Sequence, residues 1–202
     1  RDDPNAPLVN RAIAETYPPG STFKVITTAA ALQSGSTPDT QLTSAPRIPL
    51  PDSTATLENY GGSACGGGPT ASLREAFARS CNTAFVELGI DTGADKLKSA
   101  AQAFGFDAPP AAIPLQVAES TVGPISDAAA LAMSSIGQRD VAVTPLQNAM
   151  VAATIANDGI TMTPYLVDTL KGPDLSNIAT TAPIEQRRAL SPQVAATLTD
   201  LM

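Results

Sequence analysis

The sequence contains no histidine. That absence removes a Ser-His-Asp triad and any His-ligated metal centre from these residues. The two cysteines, Cys65 and Cys81, are too few for a four-cysteine zinc site. Acid–base chemistry therefore falls to Lys, Asp, Glu or Tyr. Tryptophan is missing too, and aromatics make up only 4% of the chain, so the core has to be built mainly from Ala, Leu, Ile and Val. No Lys/Arg-rich run occurs. With a net charge of −7, the composition argues against nucleic acid as a partner. No signal peptide and no membrane-spanning apolar run is recognisable. The opening "RDDPNAPLVNRA" starts on Arg1 rather than Met and reads as mid-protein sequence, and Met202 falls inside a helical pattern. A piece of a longer protein is expected.

What is present is a globular composition: 202 residues, 43% hydrophobic and 15% charged. Residues 1 to 20 are polar and Pro-rich and read as extended or loop. Ser21 opens a helix to about Ser34, ended by Gly35. Its apolar positions Phe23, Val25, Ile26, Ala29, Ala30 and Leu32 leave almost no polar face, which predicts burial on nearly all sides. Residues 36 to 70 lack helical periodicity and hold one short hairpin at most. Ser72 and Glu75 have capping-box spacing ahead of a helix over 72 to 79. Further helices are expected from Thr83 to about Ile90, from Ala94 to Phe104, from Asp127 to Ile136, and from a Thr144 cap with Pro145 to Gly159. Residues 165 to 170 alternate like a strand. Ser191 with Pro192 starts a last helix.

The stretch "YPPGSTFKVITTAAAL", residues 17 to 32, places Ser21 and Lys24 on one helix face. A Ser hydroxyl is a poor nucleophile until a base takes its proton. A Lys can be that base only when neutral, which costs an ordinary Lys about 4.6 kcal/mol at pH 7. Burial and the positive end of a helix both lower that cost. The competing reading makes Ser21 a helix cap and Lys24 a solvated charge. A second element, "SCN", puts Ser80 and Asn82 in a loop between two helices. Ser80 can relay a proton and Asn82 can hold an amide. Equally, Ser and Asn are preferred caps for the helix at Thr83.

The pairing of S-x-x-K with S-x-N is part of the motif set of penicillin-binding proteins and β-lactamases. "YPPGSTFK" with "SCNTAFVELG", "FGF" and "VTPLQNAMVAATIANDG" resembles the transpeptidase domain of class B penicillin-binding proteins, in the style of the actinobacterial A type. The likeness spans about Pro4 to Met202, apart from residues 36 to 58 and 171 to 190. It implies an α+β fold, in which a helical subdomain packs on a mostly antiparallel sheet whose strands lie largely outside this chain. Residues 1 to 202 would then be a partial transpeptidase domain.

The resemblance implies that Ser21 is the acylated nucleophile, Lys24 its base, Ser80 the proton shuttle and Asn82 the ligand of the substrate amide. The backbone N–H of Ser21 would be one oxyanion donor. It also implies peptidoglycan stem peptides as substrate, β-lactams as inhibitors, and wall-synthesis or division proteins as partners. No metal or organic cofactor is implied. The place would be extracytoplasmic, with a membrane tether outside this chain. The third family motif, Lys-Thr-Gly, is absent here and is expected beyond Met202. Arg139 in "GQRDVAVTPLQ" stands where the family commonly has Gly, which puts the local backbone shape in question.

Two alternatives are a penicillin-sensing receptor domain and a serine β-lactamase. Against the latter, none of the six Glu has an Asn four residues on, the setting of the deacylating Glu in class A enzymes. An inactive wall-assembly scaffold is weakened by the intact Ser21, Lys24, Ser80 and Asn82. In an oxidising compartment Cys65 and Cys81 can pair, since Cys65 lies in a Gly-rich loop. Two free thiols, with Cys81 buried, are the other possibility.

Overall fold

The computed structural model describes residues 8–202; residues 1–7 of the expected N-terminal loop lie outside them. The rest of that loop holds one helical turn, α1 (Arg11–Ala14), because the Asn10 side chain accepts from the Ala12 N–H and starts it. The helix expected at Ser21 begins as a tight 3₁₀ turn, Gly20–Phe23, and becomes α-helical as α2 (Lys24–Gln33). Residues 26 to 31 of α2 are all buried. This is the centre of the molecule.

The segment from 36 to 70 holds more strand than its sequence suggests. β1 (Gln41–Thr43) pairs antiparallel with β4 (Thr70–Ser72), and between them β2 (Arg47–Pro49) forms a hairpin with β3 (Thr56–Glu58). Each has three residues, too short for alternation to stand out. Then come α3 (Leu73–Ala78), α4 (Asn82–Thr92) and α5 (Ala94–Phe104). Ser72 caps α3 by accepting from Glu75 N, but the capping box is only half made: the Glu75 carboxylate accepts from Arg79 Nε instead.

After a long loop, α6 (Ala128–Ser134) is capped by Asp127 and α7 (Pro145–Ala156) by Thr144. β5 (Ile160–Met162), β6 (Thr169–Lys171), β7 (Asn177–Thr180) and β8 (Glu185–Arg188) pair antiparallel as β5–β8 and β6–β7. The strand expected over 165 to 170 is therefore only its end, and its partner lies in a stretch that carried no motif. α8 (Pro192–Leu201) starts on the Ser191 cap. Helices with small antiparallel sheets make the class α+β, as expected.

Two buried clusters flank α2. Phe23, Ile26, Ala29 and Ala30 face α5, α7 and α8 through Leu97, Phe104, Val151 and Leu198. Ala31 faces the other cluster, built on α3, α4 and α6 from Leu73, Phe85, Leu88 and Ala132. Close packing of α4 on α6 needs Gly89: a Cβ there would lie 1.8 Å from Ser135 Oγ. Phe106 of the "FGF" stretch meets Phe23 edge-on at 5.5 Å between centroids. Gln147 of "VTPLQ" donates from Nε2 to Phe104 O at 2.6 Å.

Candidate active site

The start of α2 is fixed from behind by the loop that precedes α7. Tyr17 and Val143 exchange backbone hydrogen bonds at 2.9 Å each, and Gly20 N donates to Gly137 O at 2.9 Å. Gly137 has φ +69°, and a Cβ there would stand 2.2 Å from Gly20 O. Only glycine lets the loop approach this closely. Arg139, in the same loop, has φ +64°. The backbone thus keeps a glycine-like shape although an arginine occupies it. Its guanidinium lies 3.3 Å from Asp140 and 3.9 Å from Asp127.

Ser80 sits where two helices meet. The Ser80 N–H donates to Phe77 O and the Cys81 N–H to Ala76 O, the paired bonds that close a helix on a left-handed residue. Ser80 is that residue, with φ +55°, a position glycine usually fills. The conformation brings its carbonyl and its hydroxyl to one side, and both accept from Lys24 Nζ, at 2.7 and 3.0 Å. A strained polar residue in a cleft is a common mark of function.

Lys24 is the hub. Its Nζ also contacts Ser21 Oγ at 3.2 Å and Asn82 Oδ1 at 2.8 Å. The side chain is only 3% exposed. Burial lowers its pKa from 10.5 to about 8. No carboxylate contacts Nζ among the described residues; the Phe85 ring lies 5.4 Å away and favours the charged form modestly. At pH 7 a pKa of about 8 leaves about a tenth of the lysine neutral, roughly 300-fold more than an ordinary Lys.

The partner set suits proton transfer. Two of the four oxygens, Ser80 O and Asn82 Oδ1, can only accept. They take two N–H bonds whether the lysine is charged or neutral. The remaining valence faces the two hydroxyls of Ser21 and Ser80, which can either accept or donate. A neutral Lys24 can therefore receive a proton from a serine without losing its other partners. Ser21, Thr22, Val25, Phe77 and Ser80 line an open cleft of ≈330 Å³ beside it.

Ser21, Lys24, Ser80 and Asn82 thus meet around one nitrogen, although 56 and 58 residues separate Lys24 from Ser80 and Asn82. Cys65 and Cys81 form a disulfide with Cα atoms 5.8 Å apart, which ties the Gly-rich loop to the residue between Ser80 and Asn82. The sequence reading missed Phe85 and Glu58. Glu58 O accepts from Asn82 Nδ2 at 3.0 Å and so turns Oδ1 toward Lys24. Nothing local marks either residue; strand β3 carries Glu58 there.

Comparison with known proteins follows the same lines. Residues 1–202 match the family described as penicillin binding protein transpeptidase domain. Peptidoglycan D,D-transpeptidase PbpA of Mycolicibacterium smegmatis is 80% identical over 202 residues, all of this chain but 41% of that protein. The penicillin G acyl-enzyme complex of penicillin-binding protein A from M. tuberculosis superposes with a TM-score of 0.94 at 73% identity, covering 100% of this chain and 46% of that one. The D,D-transpeptidase domain of a peptidoglycan glycosyltransferase from Eggerthella lenta gives 0.83 at 32% identity, covering 96% and 49%. The chain thus spans less than half the length of these relatives.

Proposed function

The chain belongs to the penicillin-binding protein transpeptidase family, and from that membership we propose that it carries the acylating part of a peptidoglycan D,D-transpeptidase site. The observation that supports this most directly is the bonding of Lys24 Nζ to Ser21 Oγ, Ser80 Oγ and Asn82 Oδ1 at once. In this reading neutral Lys24 takes the Ser21 proton as Oγ attacks the carbonyl between two terminal D-Ala residues of a stem peptide. A C–O bond forms and the C–N bond breaks. The leaving amine takes its proton from the Lys24 ammonium through Ser80 Oγ. An amine of a neighbouring stem then attacks the ester: a C–N bond forms, the C–O bond to Ser21 breaks, and the amine's proton passes by way of Lys24 to Ser21 Oγ. Asn82 holds the donor peptide's amide. The Ser21 N–H is one donor to the oxyanion.

A β-lactam enters the same path, because its ring C–N bond opens and leaves Ser21 acylated. Relatives captured as β-lactam acyl-enzymes support that fate here. The disulfide suits an oxidising, extracytoplasmic place of work. A tether to the membrane, and wall-synthesis or division proteins as partners, belong to the same proposal. The test is covalent. The full-length protein incubated with penicillin G should gain one acyl group, and peptide mapping by mass spectrometry should put it on Ser21. Label on another residue overturns the assignment.

A further inference from the structure

Helix α4 has Cys81 at its N-cap position, and that side chain makes no cap hydrogen bond. A helix start normally takes its cap from an adjacent Ser, Thr, Asp or Asn. Two such residues, Ser80 and Asn82, flank Cys81, yet both are turned to Lys24. The orphan N–H of Thr83 is met instead by Asn59, whose Oδ1 accepts from Thr83 N at 3.0 Å, while the Thr83 hydroxyl donates to Ala45 O at 2.8 Å and lies 3.2 Å from the same Oδ1. Asn59 lies 24 residues away, just after β3. It is 8% exposed, and its Nδ2 donates to Ala45 O and Ser63 O at 3.3 and 3.0 Å. The residue before it supplies the carbonyl that orients the Asn82 amide.

We propose that Asn59 is a positioning residue for the acylation step: by capping α4 from a distant loop it leaves Asn82 and Ser80 free to serve Lys24. Without Asn59 the Thr83 N–H loses its acceptor. The first turn of α4, which carries Asn82, then loses the bond that fixes it and can shift. Such a shift takes Oδ1 off Lys24 Nζ and carries Ser80 with it. The site then decays with the fold intact. A misplacement of about 1 Å at such a site costs on the order of 100-fold in rate.

The inference rests on the function proposed above, and the test keeps the two apart. Acylation of the full-length protein by a fluorescent penicillin is followed in wild type, Asn59→Ala, Asn82→Ala, the double variant and Asn59→Asp, with thermal melts on each. If wild type is not acylated, the function itself fails. Given an acylated wild type, Asn59→Ala should be slowed about 10- to 100-fold. The double variant should be within about threefold of Asn82→Ala, while its melting temperature still carries the full Asn59→Ala loss. Additive rate losses would make Asn59 a general stabiliser and overturn the proposal. Asn59→Asp keeps the Oδ1 acceptor, and its plateau rate at high pH, where an added carboxylate no longer holds Lys24 protonated, should be within about threefold of wild type, even if its melt is lowered by the lost Nδ2 bonds. This variant decides the matter should the Ala variant not fold. An Asp variant whose high-pH plateau is tenfold or more below that of wild type overturns it too.

Discussion

Two kinds of helix start coexist in this molecule. α1, α3, α6, α7 and α8 are each capped by the side chain next to them, namely Asn10, Ser72, Asp127, Thr144 and Ser191. α2 and α4, which carry the site, have no local side-chain cap. Ser21, Ser80 and Asn82 are the same residue types as the caps and occupy similar places in sequence, yet their polar atoms converge on Lys24. Among the described residues, five of the six supporting helices use a neighbouring Asn, Ser, Asp or Thr for stability, and the sixth, α5, starts on Gly93 without a side-chain cap. The site helices leave such side chains for chemistry and take their stability from elsewhere: from the loop at Gly137 for α2, and from Asn59 and a disulfide for α4.

The largest break in this contrast should come at Lys24. Lys24→Arg keeps the charge but cannot be a neutral base. Penicillin acylation of the full-length protein should fall at least about 100-fold, as losing a general base typically costs. Near-normal acylation by a folded variant would make Lys24 structural. In wild type the acylation rate should rise with pH and level off above about 8, where Lys24 becomes mostly neutral. Stability has the matching sign. The folded pKa is depressed, so between about 8 and 10.5 the unfolded chain holds a proton that the folded one has released, and stability rises with pH across that window. A flat acylation profile from pH 6 to 9 would contradict the assignment.

The disulfide should have the next effect. Its residues are 16 apart, and a loop of that size stabilises by about 3 kcal/mol in the chain-entropy model. Reduction should lower the melting temperature accordingly. Acylation should change by less than about tenfold, a shift of roughly 1.4 kcal/mol, because Lys24 and Asn59 still hold the loop. Complete loss of acylation in a folded, reduced protein would mean that the sulfur bridge, not the hydrogen bonds, sets the site.

The smallest stability changes give the sharpest contrast, because they differ in sign. Ser191→Ala removes an ordinary cap and should cost about 1 kcal/mol with acylation unchanged. Ser80→Gly relieves a left-handed residue at the end of α3 and should gain up to about 1 kcal/mol. Its acylation should nonetheless fall by on the order of 100-fold. Chemical denaturation beside the penicillin assay measures both. A Ser80→Gly variant that is both less stable and fully active would erase the distinction.

Much of the architecture was legible along the chain. The Ala-rich run after Ser21, the caps at Ser72, Asp127, Thr144 and Ser191, and Pro at the first turn of α7 and α8 mark the helices because these signals act within four residues. The strands were mostly hidden: three- and four-residue pairs such as β2–β3 and β6–β7 take their order from partners, not from alternation. The motifs S-x-x-K and S-x-N named the chemistry by resemblance, and Ser21 with Lys24 needed only one helical turn to meet. Local sequence alone could not tell whether Ser80 and Asn82 were caps or ligands, since both uses want the same oxygen at the same kind of position. Tertiary structure decided it, because Asn59 arrived from another loop to satisfy Thr83 N–H and packing buried Lys24 beside them. A buried amine demands acceptors, and the Ser80 and Asn82 oxygens that capping had released were the ones within reach.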